Sequence, residues 1–518
     1  MNKAENWYQY KHEKEAWIAN QAGSSVMHIN VVCAVSVVSY ALYLCVAKEV
    51  WTWPYAWLSE FLVLIVPLMM AGTVFVTDPL SLLAALSIPV CLWMFFCFVK
   101  DPSTANLRTD DVDQNDDPAT LNDERDLLVG QALLNMNLTP SPSPVMLQAS
   151  LPDLCEDYSS TQRTSISSMN SLPYSTAKSS QDHPDFSSSP RYSFLTVYRA
   201  YLMVLTTYCI LAVDFPIFPR FFAKCETWGT SLMDLGVGSF VYSQGIVSVS
   251  SSRKPFSATL KRVGPMLALG MVRLVMVKGT DYPEHLSEYG THWNFFLTMS
   301  VLLLCTDLLQ RFAPRKLNWV FAGILVSILH QMALSYSKLG AWTISNERSA
   351  LGWISMNKEG LVSLPGYFGI GLAGLEIGSK LRNSPRPSFQ KALLWQAALG
   401  WLGLGILHGS GIITSRRLAN MPYVLWCIAF NATFLLAFKT MEETFMQGSE
   451  RPPFLLDKIN RHSLMIFLVS NVLTGIINLA IYTMHATTSL SMVILVAYML
   501  LVCGLCPRFL DVYLPNSK

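Results

Sequence analysis

Apolar runs of roughly 17–22 residues recur along almost the whole chain, and each is long enough to cross the hydrocarbon core of a bilayer as a helix. They fall at about 26–47, 58–76, 80–99, 194–213, 232–250, 262–279, 293–309, 318–335, 361–377, 392–408, 422–438, 463–483 and 488–507. Backbone groups in lipid find no water, so a spanning segment must satisfy its own hydrogen bonds. Composition agrees. The 518 residues are 52% hydrophobic and 14% charged, where soluble proteins carry roughly 25% charge. The expected fold is an all-α polytopic membrane protein of about 13 transmembrane helices. A net charge of +2 gives no electrostatic basis for nucleic-acid binding. The N-terminal stretch mixes charges with aromatics and has no apolar core. The first span is therefore expected to serve as its own insertion signal.

One break interrupts the pattern. Residues 100–191 are acidic and then rich in Ser, Thr and Pro, too poor in apolar surface to fold. The expected organisation is a three-helix membrane segment at 1–99, a disordered cytosolic loop at 100–191 and a ten-helix catalytic region at 192–518. Lys and Arg concentrate in alternate loops, near 253–262, 311–316, 380–391 and 439–461, which marks those loops as cytosolic. The N-terminus then lies on the far side and the C-terminus in the cytosol.

The opposite loops carry most of the chemistry-bearing residues. The richest runs from Leu211 to Phe240: LAVDFPIFPRFFAKCETWGTSLMDLGVGSF. Prolines 216 and 219 end the preceding span, and Asp214, Arg220, Lys224 and Asp234 appear among aromatics. Irregular backbone near a bilayer persists where it is buried in protein or lines a watery cavity. A carboxylate there can accept a hydroxyl proton, and an ammonium can stabilise an oxyanion. Asp234 reads better as the residue that orders the Gly-rich re-entry. The other loops offer Asp281, Glu284, His285, Glu288, His292 and Asn294; then Asn357 and Glu359; then Arg416, Arg417 and Asn420. The second group also fits a helix start, where acids suit the dipole, and the arginines fit either a bound anion or a loop salt bridge. Asn471 and Asn478 share a face of one span, where polar residues more often join helices than bind substrate. Cys503 and Cys506 form a lone CxxC, weak evidence for metal or redox work. No nucleotide-loop, zinc-ligand or nucleophile-elbow motif stands in a credible context, so no bound cofactor and no metal site is expected.

The 211–240 segment, together with EHLSEYGTHWNFF, NKEG before a Gly-containing span, SRRLANMPYVLW and LVSNVLTGIINL, closely resembles the PIG-W family in its fungal form. These are the inositol acyltransferases of glycosylphosphatidylinositol (GPI) anchor biosynthesis. The resemblance runs from the fourth to the twelfth span. It implies a membrane-bound O-acyltransferase of the endoplasmic reticulum, with its motif loops in the lumen. It also implies acyl-CoA, typically palmitoyl-CoA, as co-substrate and glucosaminyl-phosphatidylinositol as acceptor, with Asp214 and Lys224 as the essential pair. One departure falls inside the motif, where Phe221 follows Arg220 in place of a second basic residue. Two other readings compete: a glycolipid or solute transporter without chemistry, and an acyltransferase using His292 as base.

Overall fold

Among the described residues the only regular structure is helical, and thirteen helices follow the thirteen apolar runs. They are α1 (Val26–Val50), α2 (Ala56–Ala71), α3 (Pro79–Lys100), α4 (Ser193–Ala212), α5 (Leu235–Val247), α6 (Phe256–Thr280), α7 (Phe295–Phe312), α8 (Trp319–Tyr336), α9 (Lys358–Asn383), α10 (Arg386–Gly409), α11 (Met421–Phe445), α12 (Ser463–Ala480) and α13. The last starts at Thr488–Met499 and continues through a π segment, Leu500–Leu505, into Cys506–Tyr513. This computed structural model describes residues 9–10, 12–14, 16–17, 21, 23–50, 56–100, 192–249, 255–280, 286–314, 317–348, 352–384, 386–445 and 451–513. The loop expected at 100–191, almost entirely, and Asp281, Glu284 and His285 lie outside those residues.

Ten of these helices are long and apolar enough to cross a membrane. Of the other three, α2 and α5 are apolar but shorter, and α6 is long but less apolar. The chain is therefore a multi-pass membrane protein. Its surface agrees: Leu80, Ile88, Leu92, Phe95 and Phe96 stand exposed along α3, a belt that water would not tolerate and lipid covers.

Burial separates centre from rim. The most hydrophobic window of α9 is 78% buried, those of α4 and α11 are 67% buried, and that of α3 only 11%. The N-terminal helices belong to the same unit as the rest, since residues 1–96 and 191–518 cluster together. Helix α9 owes its central place to glycine. Where α5 crosses it, a Cβ on Gly374 would lie 2.2 Å from the Tyr242 carbonyl oxygen. One on Gly378 would lie 2.1 Å from that of Ile246, and one on Gly245 2.2 Å from that of Gly371. In lipid no hydrophobic effect draws helices together, so small residues that admit close backbone contact supply the packing.

Gly374→Ala should therefore force the two backbones apart and destabilise the protein by about 1–3 kcal/mol, as overpacked cores do. Thermal unfolding in detergent checks this, with Gly405→Ala as control because nothing lies within 4 Å of its added Cβ. Equal midpoints for the two variants would refute the seam.

Candidate active site

The motif-bearing loops meet at one face, joined by their own backbones. Ser24 N donates to Thr230 O (2.6 Å), Gly229 N to Thr414 O (2.9 Å) and Thr291 N to Met356 O (2.9 Å). The bend after α4 is packed from within by Phe215, Phe218 and Phe222, all 0% exposed. Pro219 leads into a single 3₁₀ turn, Arg220–Phe222, so the chain reverses tightly around these rings.

Asp214 and Lys224 leave this bend toward different partners. Asp214 Oδ1 meets Lys14 Nζ at 2.9 Å, and its Oδ2 accepts from Asn478 Nδ2 at 2.7 Å. Lys14 also donates to Asn478 Oδ1 (2.8 Å). The N-terminal segment thus lies across the carboxylate. Trp17 carries the Arg220 guanidinium 3.9 Å above its ring, while Arg220 Nη1 donates to Val213 O (2.6 Å). Burial lowers the Arg220 pKa, and Asp214 nearby opposes that shift.

Lys224 Nζ instead meets Glu288 Oε1 at 2.6 Å. Burial alone would raise the Glu288 carboxyl, but Lys224, and with it Arg416 and Arg273, outweighs burial and holds it at about 2. Glu288 is therefore ionised throughout the physiological range.

Behind them stands a buried polar layer. Asp234, fully buried, receives Arg416 Nε on Oδ1 (2.8 Å) and the Cys225 backbone N–H on Oδ2 (3.2 Å). Glu359 receives Arg417 (2.9 Å) and Arg348 (2.8 Å) on one oxygen. The anions that Arg416 and Arg417 grip are thus the chain's own carboxylates. Asn294 caps α7 by accepting from Phe296 N (3.1 Å) and Leu297 N (3.2 Å). Asn420 accepts from Ser415 N (3.0 Å) and from Tyr423 N (3.3 Å) in the first turn of α11. Asn357 Oδ1 accepts from His292 N (2.8 Å) at the start of α9. The His292 ring places Nδ1 in a buried position with no hydrogen-bond partner among the described residues. The helix start expected at Asn357 and Glu359 is present, with Asn357 at the N-cap position of α9 and Glu359 in its first turn, while Asn420, expected beside the arginines as part of an anion fork, holds the start of α11.

Lys224 and Glu288 stand in the wall of a partly open cavity of about 200 Å³. Arg273 and Tyr289 join them at this polar end, and Asn471 of α12 also faces the space. The remaining wall is mostly apolar and ring-rich. It takes Tyr198 to Ile210 from α4, Leu235 to Phe240 from α5, Phe430, Phe434 and Phe438 from α11, and Phe467 from α12. Tyr201 stacks on Phe438 with 5.4 Å between centroids, and Phe430 on Phe434 with 4.3 Å. The twelve helical steps from Tyr198 to Ile210 rise about 18 Å, so the cavity is a shaft along the helices. Asp214 follows four residues beyond Ile210.

Sequence reasoning passed over Lys14, Arg273 and Tyr289, and read Asn478 as a helix-joining residue. The one available signal for Asn478 was its spacing from Asn471, two turns along α12. Lys14 gave none, because its partner lies two hundred residues away.

Two consequences are measurable. Removing the shared acid in Glu359→Ala leaves two guanidinium groups facing each other without their anion, which should cost about 3–5 kcal/mol, read as a lowered thermal midpoint in detergent. A midpoint within a degree of wild type would count against it. For Glu288, the folded carboxyl lies below its ordinary value near 4.5, so its contribution is complete above about pH 4.5 and is lost as pH falls toward about 2. Wild type should therefore lose more thermal stability than Glu288→Gln between about pH 6 and pH 3; parallel curves would refute the ion pair.

Comparison with known proteins gives this geometry a family. The GWT1 family profile matches residues 10–136 and 126–508. A Cryptococcus neoformans var. grubii protein named GPI-anchored wall transfer protein 1 is 34% identical, over 95% of this chain and 97% of its own length. Proteins of that name from Aspergillus oryzae and Gibberella zeae are each 33% identical, the first over 96% of both chains and the second over 97% of this chain and 98% of its own. Bend, buried acid–arginine layer and ring-lined shaft all fall inside the matched residues, and the chain belongs to the GWT1 family, the fungal counterpart of PIG-W.

Proposed function

We propose that this protein is an acyltransferase of GPI-anchor biosynthesis, moving a fatty acyl group, palmitoyl in the first instance, from acyl-CoA to an inositol hydroxyl of glucosaminyl-phosphatidylinositol. It works in the endoplasmic reticulum membrane with the motif face and N-terminus lumenal and the C-terminus cytosolic. The observation that carries this reading is the shaft: a long apolar cavity whose polar end holds the Lys224–Glu288 pair. The shape suits an acyl tail with its reactive carbonyl at the charged end. The relatives' name, which speaks of GPI-anchored wall transfer, supports the pathway.

The chemistry follows from the groups at hand. Asp214 acts as general base toward the inositol hydroxyl, with Lys14 and Asn478 orienting its carboxylate. Lys224 presents its ammonium to the thioester oxygen, where negative charge develops. Transfer is direct. Among the wall hydroxyls and thiols, Ser36 donates to its own helix at Cys33 O (2.6 Å), and none of the wall Ser or Cys side chains has a base within hydrogen-bond reach among the described residues. The acyl-enzyme route therefore lacks its activated nucleophile. A transporter needs only the cavity; an acyltransferase needs the charged end as well.

Purified protein in nanodiscs, given labelled palmitoyl-CoA and glucosaminyl-phosphatidylinositol, should form acyl-inositol product. Asp214→Asn and Lys224→Ala should each lower kcat by about 10²-fold or more while the protein stays folded. Wild-type activity in Asp214→Asn would sink the base assignment. Movement of glycolipid with no acylated product would establish the transporter instead.

A further inference from the structure

Three hydroxyls of the cavity wall, those of Tyr201, Ser239 and Tyr289, are buried without a hydrogen-bond partner among the described residues, and only Tyr289 adjoins the Lys224–Glu288 pair. Tyr289 ends the short helix Leu286–Tyr289, is 6% exposed, and lines the polar end of the shaft. Its Oη is buried without a hydrogen-bond partner among the described residues. Folded proteins pair nearly all such atoms, because an unpaired buried donor is destabilising. This phenol therefore has the character of a donor kept free for a ligand.

Its surroundings hold it still. Gly290, next in the chain, has φ +97°, and a Cβ there would lie 2.4 Å from Met356 O. Thr291 N and His292 N then bind Met356 O and Asn357 Oδ1, so the backbone after Tyr289 is clamped to the start of α9. The residue before it, Glu288, holds Lys224. One short turn thus brings a free phenol and a fixed ammonium to the same end of the shaft. Burial, and after it the Glu288 charge, raises the phenol pKa well above its ordinary value, which keeps it a neutral donor.

Building on the acyl-transfer reading above, we propose that Tyr289 is a catalytic residue whose phenol donates a hydrogen bond to the carbonyl oxygen of the bound acyl thioester. With Lys224 it forms the oxyanion hole. The inositol oxygen bonds to the carbonyl carbon and its proton passes to Asp214, while the C=O π electrons move onto the oxygen that Tyr289 and Lys224 hold. Collapse restores the carbonyl, breaks the C–S bond and releases the CoA thiolate, which takes up the proton that Asp214 gives back as its carboxylate is restored. Tyr289 keeps its own proton throughout.

The test uses the full chain, palmitoyl-CoA labelled with ¹³C at the carbonyl, and Tyr289→Phe. In the variant, kcat should fall about 10²–10³-fold, as for loss of one oxyanion-hole donor, with KM for acyl-CoA little changed. The infrared band of the bound ¹³C carbonyl should move to higher frequency as its hydrogen bond is lost. The thermal midpoint should hold or rise, because an unpaired buried hydroxyl has been removed. Fluorotyrosine at 289, a stronger donor of similar shape, should move the band to lower frequency and checks the assignment if the Phe variant folds poorly. A Tyr289→Phe protein with the wild-type rate, or with an unmoved carbonyl band, would overturn the proposal. If wild type makes no acyl-inositol yet the band responds to position 289, the acyl-transfer reading fails and the carbonyl contact stands.

Discussion

The buried pair of Asp234 and Arg416 is the contact on which the site's geometry rests. One carboxylate oxygen holds the guanidinium and the other the Cys225 N–H, immediately after Lys224. Two charges out of water are expensive to bury, and their attraction offsets this only with good geometry and further hydrogen bonds. The carboxylate has its further hydrogen bond from the Cys225 N–H, whereas Arg416 Nη1 is buried without a partner among the described residues; Tyr423 Oη donates to the Asp234 backbone carbonyl at 2.8 Å, tying α11 to the same point. Arg416 also lies close enough to lower the Glu288 carboxyl. One acid thus sets the path of the segment that carries Lys224, and its arginine helps keep that lysine's partner charged.

The Glu359 cluster does the same for the loops around α9. Arg348 and Arg417 come from separate loops and converge on one carboxylate in the first turn of that helix, where the helix dipole also favours negative charge. These ion pairs lie at helix starts and in the loops between them, where the backbone lacks the partners a helix interior supplies. They do there what capping boxes and turns do in a soluble protein.

Much of this was legible in the sequence, and the reasons are physical. A span needs a fixed length of apolar residues, so hydropathy located all thirteen helices α1–α13, with ends up to seven residues out, as at Phe445. The helix ends were less legible: α12 stops at Ala480, because Thr483–His485 form a 3₁₀ turn and Thr487 caps α13. Within the site, local spacing suggested that Asp214 would work on a neighbouring Lys224. The structure gives each a remote partner, because three buried rings fill the bend between them and send the side chains to different neighbours. Spacing reports local contacts only. The Asp214–Lys14 and Lys224–Glu288 pairs and the unpaired Tyr289 phenol depend on long-range packing that no local pattern encodes.

The glycine seam between α5 and α9 carries one last consequence. Helices touching through backbone have no rotamers to rearrange, so this side of the molecule is stiff. Much of the rest of the cavity wall is built from phenylalanine and tyrosine rings on α4, α11 and α12, each with two side-chain torsions. The cavity therefore has one unyielding wall and one compliant wall. On the proposed acyl-transfer reading, tails of different length or bend would be accommodated by turning rings on the soft side, while the seam behind α5 holds its register. Selectivity for the tail would then be graded, and selectivity at the charged end sharp.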